Sequence, residues 1–540
     1  MTGRPSTADR SEPHDFDPLN MDNYRVETMR AREKSRAERI LAAIGVPLAL
    51  LSFALIMRWD AAFLRGVDPA GLGKKALAHY DQVGATAFHH ANRAMLAVFV
   101  AALILWLTEA IPSYLTSLIL IVALVLLKVL PEQTAYAQLG HNVMWLNILS
   151  FILSSALVAT GVAKRFALWF LLRFGRSPTS IFVSFIIINV VLSAFISATT
   201  AKAALLLPIF MVVAAVYGAR GGREKNNFGR NVVLLNLLAN NLGASAFMTG
   251  SGANLVAVSL MIGATGQRIF YQDWLRVAFP QVVVLLVVAW FLGTRVFFRL
   301  SPDERVPRIS GGLETLRSEL AGLGRMDIRS VKAVVIFVAI LALWATDRYH
   351  GISATAVAFV GAIAALMPRV GVIEWNQVDI PWHLLLFSAG AYTLGAGLEV
   401  TDLPAISVNA AFERLGIGSG APFWLLYLVL TGAMVFSALA FQSKTMRAMI
   451  FVPIAIGVAK RSGYPVLSLA MPVSMLIEHV YALPFNSKPA MLLYSTDQYS
   501  LTDTFKYGVS MLFLSWLLAL AAGETWWRFL GYTSQGVFGG

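Results

Sequence analysis

Long apolar runs separated by short polar stretches organise this chain. A membrane-spanning helix needs about 20 mainly apolar residues. Runs of that kind begin near Ile40, Met95, Tyr114, Met144, Thr179, Val232, Trp274, Val331, Ser353, Trp382, Phe423, Val466 and Tyr507. Two runs are too long for one span and carry a polar middle: Thr179 to Tyr217 is interrupted by Ser197 to Lys202, and Phe423 to Lys460 by Gln442 to Arg447. This pattern predicts re-entrant hairpins, each made of two half-helices meeting at a tip. At membrane depth such backbone is tolerated only inside protein or beside a water-filled cavity. Two further spans are broken by glycine or proline, at Thr249-Gly250-Ser251-Gly252-Ala253-Asn254 and at Leu483-Pro484-Phe485-Asn486-Ser487-Lys488-Pro489.

These features recur in order. Trp106-Leu107-Thr108-Glu109 is echoed by Trp344-Ala345-Thr346-Asp347. Trp145 and the run to Thr160-Gly161 are echoed by Trp382 and the run to Thr401-Asp402. Thr200-Ala201-Lys202, leading to Pro208, is echoed by Thr445-Met446-Arg447, leading to Pro453, and Ser251 is echoed by Ser487. The offset is roughly 240 residues each time, so the chain reads as a duplication. Each half holds an odd number of spans, about five plus a hairpin, which predicts inverted halves with a site near the midplane where interrupted helices meet. The fold class is an all-α polytopic membrane protein of two inverted repeats. Its expected divisions are a polar N-terminus over 1–39, a first transmembrane helix and outer loop over 40–93, repeat one over 94–299, a linker over 300–331 and repeat two over 332–540. The linker holds an amphipathic stretch (Leu313, Leu316, Leu320), expected to lie along the membrane interface.

Composition agrees with a chain in contact with the lipid bilayer. Apolar residues make up 57% and charged residues 14%, where a soluble domain carries roughly a quarter charged. The net charge of +13 reads as the positive-inside bias of a membrane protein, and no nucleic-acid partner is expected. Basic residues gather before the first span (Arg25 to Arg39), at Arg220, Arg223, Lys225 and Arg230, and from Arg305 to Lys332. All three groups are assigned to the cytoplasmic side of the plasma or cell inner membrane, with a cytoplasmic N-terminus. The run from Ile40 to Met57 has no small-residue cleavage site after it and reads as a signal anchor. Cysteine is absent, which excludes disulfides and thiolate metal sites.

From about Met95 to Tyr532 the chain resembles the divalent anion/sodium symporters of the ion transporter superfamily. The likeness rests on Leu105-Trp106-Leu107-Thr108-Glu109-Ala110-Ile111-Pro112, on Leu323-Gly324-Arg325-Met326 and on Ile380-Pro381-Trp382. It implies eleven transmembrane helices plus two re-entrant hairpins, a homodimer, and one domain of each protomer carrying substrate up and down. It also implies a Ser-Asn-Thr motif at each hairpin tip that binds substrate carboxylates and helps form two sodium sites. Here the first tip reads Ser197-Ala198-Thr199, or Ala198-Thr199-Thr200 if aligned from Pro208, and lacks the Asn. The second reads Ser443-Lys444-Thr445, with Lys444 in the place of Asn. At the two breaks the family's paired prolines and Asn become Gly252-Ala253-Asn254 and Lys488-Pro489-Ala490, so only Asn254 survives.

The departures add cations. Lys202 and Arg447 stand in equivalent places before Pro208 and Pro453, with Lys444 and Lys488 near the second tip and break. A charge at the bilayer centre costs about 2.5 to 3.5 kcal/mol on insertion scales, so these groups need partners. Two functional readings stand beside a bland one. Lys444 is a tethered cation replacing a sodium ion; or Lys202 and Arg447 face a substrate of charge two or more, Arg gripping it with a planar fork; or the side chains snorkel to an interface and pair with acids elsewhere. Glu478-His479 on the broken span is either a proton relay or the neutralising partner of Lys444 or Arg447. Glu109 and Asp347 read as structural groups at helix ends, and Gly390, Gly395 and Gly397 as a close-packing face. Trp526-Trp527 reads as an interfacial anchor.

The function that follows is secondary transport of a small divalent or multivalent anion (a dicarboxylate, sulfate or similar), without sodium, by exchange or with protons. The substrate-binding candidates are Ser197, Thr199, Thr200, Lys202, Asn254, Ser443, Lys444, Thr445, Arg447 and Ser487. The coupling-ion candidates are Lys444, Asn254, Glu478 and His479. A rival reading keeps one sodium ion on Ser197, Thr199 and Asn254. Another class, an intramembrane enzyme acting on a lipid-linked phosphate, suits the basic cluster but finds no His-Glu-x-x-His motif and no nucleophile–base pair. No organic cofactor is expected.

Overall fold

The computed structural model describes residues 19, 21, 36–65, 67–108, 110–222, 225–309, 312–414, 421–441 and 443–539. Most of the N-terminal basic group, Glu109, Arg223 and Gln442 lie outside the described residues. The fold is all-α. The first half contains α1 (Arg36–Arg58), α2 (Lys74–Thr108), α3 (Ser113–Leu126), α4 (Asn142–Ala159), α5 (Val162–Phe174), α6 (Pro178–Ser193), α7 (Thr199–Val216), α8 (Asn227–Ala246), α9 (Gly252–Thr265) and α10 (Tyr271–Phe291). A linker helix, α11 (Gly312–Gly322), follows. The second half contains α12 (Ile328–Ala345), α13 (Ala354–Leu366), α14 (Trp382–Thr401), α15 (Leu403–Arg414), α16 (Phe423–Phe436), α17 (Lys444–Arg461), α18 (Val466–Met475), α19 (Lys488–Tyr494) and α20 (Leu501–Glu524).

Among the described residues, eight helical segments are long and apolar enough to cross a membrane. Apolar rows face outward, such as Leu115, Leu118, Ile119 and Val122 on the shorter α3 and Val331, Val335 and Val338 on the spanning α12. Exposed apolar surface on that scale needs a cover, which a bilayer supplies. One boundary differs from the expectation. The stretch before Met95 is no open loop, because α2 already begins at Lys74 and bends at Gly84 (φ 79°). That backbone conformation costs glycine little. Beyond the bend, Phe88, Ala91, Ala94 and Met95 form a buried stripe that keeps the segment helical.

The two halves use the same devices in the same order. The Trp106 indole donates to the carbonyl of Ser113, the first residue of α3, at 3.2 Å. Trp344 does the same to Ala354, the first residue of α13, at 2.9 Å. A left-handed residue, Gly161 (φ 67°) or Asp402 (φ 48°), turns the chain sharply after α4 and after α14. The halves also interlock: α14 packs on α3, α13 on α4, α9 on α17 and α19 on α7. One close crossing is at Gly390 of α14, where a Cβ would stand 2.8 Å from the Ser117 Cα. The small residues allow this contact, as expected of the glycine face.

The amphipathic stretch of the linker is helical, and its Leu316 is fully buried. Glu319 pairs with Lys164 of α5 at 2.8 Å, and Arg165 donates to the carbonyls of Leu323 and Gly324 at 2.7 Å each. The Trp526-Trp527 expectation needs correction. Trp527 is fully buried, its indole donating to Val277 of α10 at 3.0 Å, and Trp526 donates to Arg276 at 2.7 Å. These rings fasten the C-terminal segment to α10, since a buried indole N–H seeks a partner.

Candidate functional site

Each predicted hairpin forms as two helices with a non-helical tip. In the first, α6 begins with a capping box between Ser177 and Ser180 and ends at Ser193, and α7 starts at Thr199. In the second, α16 runs into a tight turn over Ser437–Leu439, and Ser443 caps the start of α17 by accepting from the Met446 amide at 3.3 Å. Both broken spans also form. A tight turn at Met248–Gly250 precedes Ser251 (φ −157°, ψ 145°), which caps α9. A matching turn at Pro484–Asn486 precedes Ser487 (φ −157°, ψ 155°), which caps α19. The serine pair therefore sits at equivalent points with near-equal backbone angles.

The two tips meet. Lys444 Nζ lies 2.5 Å from Glu478 Oε2 and 3.4 Å from the Thr199 hydroxyl of the other hairpin. Glu478 comes from the unwound stretch after α18 and is fully buried, while the Lys444 side chain is 10% exposed. The remaining carboxylate oxygen, Oε1, has no hydrogen-bond partner, and neither ring nitrogen of buried His479 has one. Of the two roles read for Glu478, the neutralising one is what this geometry displays. Thr199, Thr200, Ser443 and Thr445 are half-buried beside the pair.

Lys202 and Arg447 are placed differently from the reading in which they face substrate. Both are fully buried. Lys202 on α7 donates to the Ser193 hydroxyl at the end of α6 and to the Asn240 carbonyl of α8 (3.0 Å). Arg447 on α17 donates to Ser437 (2.9 Å), to the carbonyl of Met434 at the end of α16, and to the carbonyls of Ile477 (2.8 Å), His479 (3.4 Å) and Leu476 (3.4 Å) beyond α18. The last carbonyls of a helix have no intrahelical partner, and a cation there also meets the negative end of the helix dipole. Each cation thus ties the two limbs of its own hairpin together and to the following broken helix. In this conformation their donors are engaged by protein. Lys488 is exposed and does not join the cluster.

Around the first tip and break, several buried side-chain oxygens have no hydrogen-bond partner. Ser197 Oγ, Thr249 Oγ1, Asn147 Oδ1, Asn240 Oδ1 and Asn254 Oδ1 are buried and accept no hydrogen bond. The Asn254 amide nitrogen donates to the carbonyls of Ala244 and Phe247 at 3.0 Å each, which leaves its oxygen free. Asn147 of α4 sits against the start of α9, its Nδ2 3.4 Å from where a Cβ on Gly252 would be. Buried polar atoms are usually satisfied, and unwound helix segments with free oxygens are where transporters hold coupling cations.

Several of these residues escaped the sequence reading. Asn240 donates to the Thr199 carbonyl at 3.0 Å, and Asn486 joins the second break to the hairpin through the Ala438 carbonyl. Asn147 and Thr249 line the first break. The available signal was asparagine inside apolar runs, at Asn147 and Asn240-Asn241, which is costly unless used.

Residues 85–533 match the family model described as the sodium:sulfate symporter transmembrane region. The chain belongs to this family. It is 25% identical to the sodium-dependent dicarboxylate transporter SdcS of Staphylococcus saprophyticus, over 77% of this chain and 84% of that one. It is likewise 25% identical to the sodium-dependent high-affinity dicarboxylate transporter 3 of Caenorhabditis elegans, over 74% and 76%. A membrane protein of Cupriavidus necator is 26% identical over 82% and 88%. Among solved structures, the YdaH transporter of Alcanivorax borkumensis is similar with a TM-score of 0.47 and 14% identity, covering 73% of this chain and 86% of that one. The symporter resemblance read from the motifs therefore holds. The protein is an integral membrane transporter of anions, and the lipid-phosphate enzyme reading falls away.

Proposed function

We propose that this sodium:sulfate symporter family member is a secondary carrier of small divalent or multivalent anions in which the Lys444 ammonium stands where a coupling sodium would be. The observation that carries this reading is the position of Lys444, between the two hairpin tips and within reach of Thr199. Half-helix N-termini favour negative charge, and α7 and α17 both begin at the tips. The substrate site is built from Thr199, Thr200, Ser443, Lys444 and Thr445. Lys202 and Arg447 shape the hairpins from behind. Inverted repeats moving in an elevator fashion, in a homodimer with the N-terminus cytoplasmic, complete the reading. The repeated tryptophan, serine and hairpin geometry supports it. Transport then proceeds without sodium at the second tip, as exchange or with protons.

A second reading has its own support. The free oxygens of Ser197, Thr249, Asn147 and Asn254 favour one retained sodium ion at the first tip, and relatives are named as sodium-dependent. Counterflow uptake of labelled succinate and sulfate into proteoliposomes, with sodium or choline as the sole cation, separates the two. Equal uptake in both media supports the fixed-cation carrier. Uptake that needs sodium, with a Hill coefficient of about one for that ion, supports the retained site. Absence of uptake for every divalent anion would overturn the substrate class.

A further inference from the structure

Lys444 is not a bare cation. Its charge is cancelled by Glu478, which no family motif quoted above contains. We infer that Glu478 and the transported anion compete for the Lys444 ammonium, so that anion binding requires uptake of one proton by the Glu478 carboxylate. The inference rests on the reading of the hairpin tips as the anion site.

The geometry separates the roles. Lys444 is the partly exposed member of the pair and lies against Thr199 of the opposite tip, while Glu478 is wholly buried behind it. An anion arriving at the tips would share one ammonium with a carboxylate already 2.5 Å from it. Two anions held this close do not both stay charged, and the wholly buried Glu478 carboxylate, with Oε1 unpartnered, is the place for the proton. The proton comes from the aqueous phase and binds Glu478. The Lys444–Glu478 ion pair opens, and the ammonium N–H donates to the incoming anion. On release the steps reverse, and the internal pair closes again.

The charged surroundings fit this exchange. The charged groups around Glu478 are Lys444 and Arg447 of α17 and Lys202 of α7, and His479 and Tyr481 follow it along the chain. Arg447 and Lys202 are fixed by hydrogen bonds to protein, and the Tyr481 hydroxyl is bonded to Ser515 at 3.0 Å. α9 carries no ionisable residue, and α16 carries only Tyr427, which donates to Ala519 at 2.8 Å. α8 carries only Arg230, paired with Asp503 at 3.2 Å. Lys444 is therefore the group on which an incoming anion and Glu478 converge.

Coupling follows from charge compensation. With neither ligand, Lys444 and Glu478 cancel. With anion and proton together, Lys444 faces the anion and Glu478 is neutral. Anion without proton leaves a buried carboxylate against a second negative charge, and proton without anion leaves Lys444 uncompensated. With a dianion the protonated site carries one negative charge fewer than the unprotonated one, and unpaired charge is costly inside the membrane, so the proton favours crossing of the loaded form.

The test uses the full-length wild-type protein in detergent and weak buffer with an indicator dye. Sulfate is the first probe because it stays a dianion across the neutral range, and succinate is the second. The expected result is about one proton taken up per anion bound, with affinity falling as pH rises. Glu478→Gln should bind without proton uptake and with a flat pH profile. Binding by wild type with no proton uptake overturns the inference and leaves the anion site standing. Binding of neither anion at any pH overturns the anion site, and the inference with it. The wild-type proton count decides even if the variant fails to fold.

Discussion

The Lys444 ammonium of one hairpin lies 3.4 Å from the Thr199 hydroxyl of the other. The equivalent tips of the two halves thus touch through a side chain that only one of them possesses. The surroundings differ as well: buried oxygens without partners lie near the first tip, and an ion pair fills the second.

Replacing Lys444 alone removes the partner of a buried carboxylate. Breaking such a pair costs about 3–5 kcal/mol, so Lys444→Asn should melt well below wild type in detergent. The double variant Lys444→Asn/Glu478→Gln leaves no orphaned charge and should recover most of the loss. Uptake by the double variant should then acquire sodium dependence. Sodium-independent uptake in that variant would sink the tethered-cation idea.

Arg447→Met should be among the most damaging single changes. It strands carbonyls of Met434, Leu476, Ile477 and His479 that the guanidinium now satisfies. Each buried acceptor left without a donor costs about 1–3 kcal/mol. Arg447→Lys should recover only part, because one ammonium cannot span both helix ends. Anion affinity per folded molecule should be unchanged in Arg447→Lys. A large drop in affinity with the melting temperature intact would return Arg447 to the substrate site.

The hairpins and breaks were legible because polar residues, glycine and proline interrupt apolar runs, and the repeat was legible because Trp106/Trp344 and Ser251/Ser487 kept their order. The partners of Lys202 and Arg447 were not legible. Backbone carbonyls carry no residue signature, so two equivalent cations read equally well as ligands or as staples. The early start of α2 was hidden by His79, His89 and Arg93, whose polarity masks the buried stripe of Phe88, Ala91 and Ala94. Trp527 resembled a belt residue because sequence does not reveal the Val277 carbonyl waiting for its indole.

The Ser197 hydroxyl has no hydrogen-bond partner, so Ser197→Ala should leave the melting temperature within error of wild type. If a sodium ion uses that oxygen, the same change raises the sodium concentration needed for half-maximal uptake, by about tenfold for a loss of 1.4 kcal/mol. Asn254→Ala should do both, since the amide also donates to Ala244 and Phe247. Its stability loss should be about 1–2 kcal/mol. Unaltered sodium response in both variants would remove the retained-site reading.

Asp347 offers a pH-dependent readout away from the transport site. It lies just beyond α12, is buried, and accepts from the backbone amides of Tyr271 (2.7 Å) and Gln272 (3.3 Å) at the start of α10. Burial raises its pKa above the ordinary carboxylate value despite those two donors. A carboxyl whose pKa is higher folded than unfolded contributes stability that is fully present below the unfolded value. That contribution is lost as pH rises through the folded value. Wild type should therefore gain stability relative to Asp347→Asn as the solution is acidified through the carboxylate range, and the two should run parallel at neutral pH and above. Asp347→Ala removes the cap altogether and should cost about 1 kcal/mol at neutral pH. Melting curves of the three proteins across pH test both points. A wild-type advantage over Asp347→Asn that instead shrinks on acidification would mean that the helix amides, not burial, dominate this carboxylate.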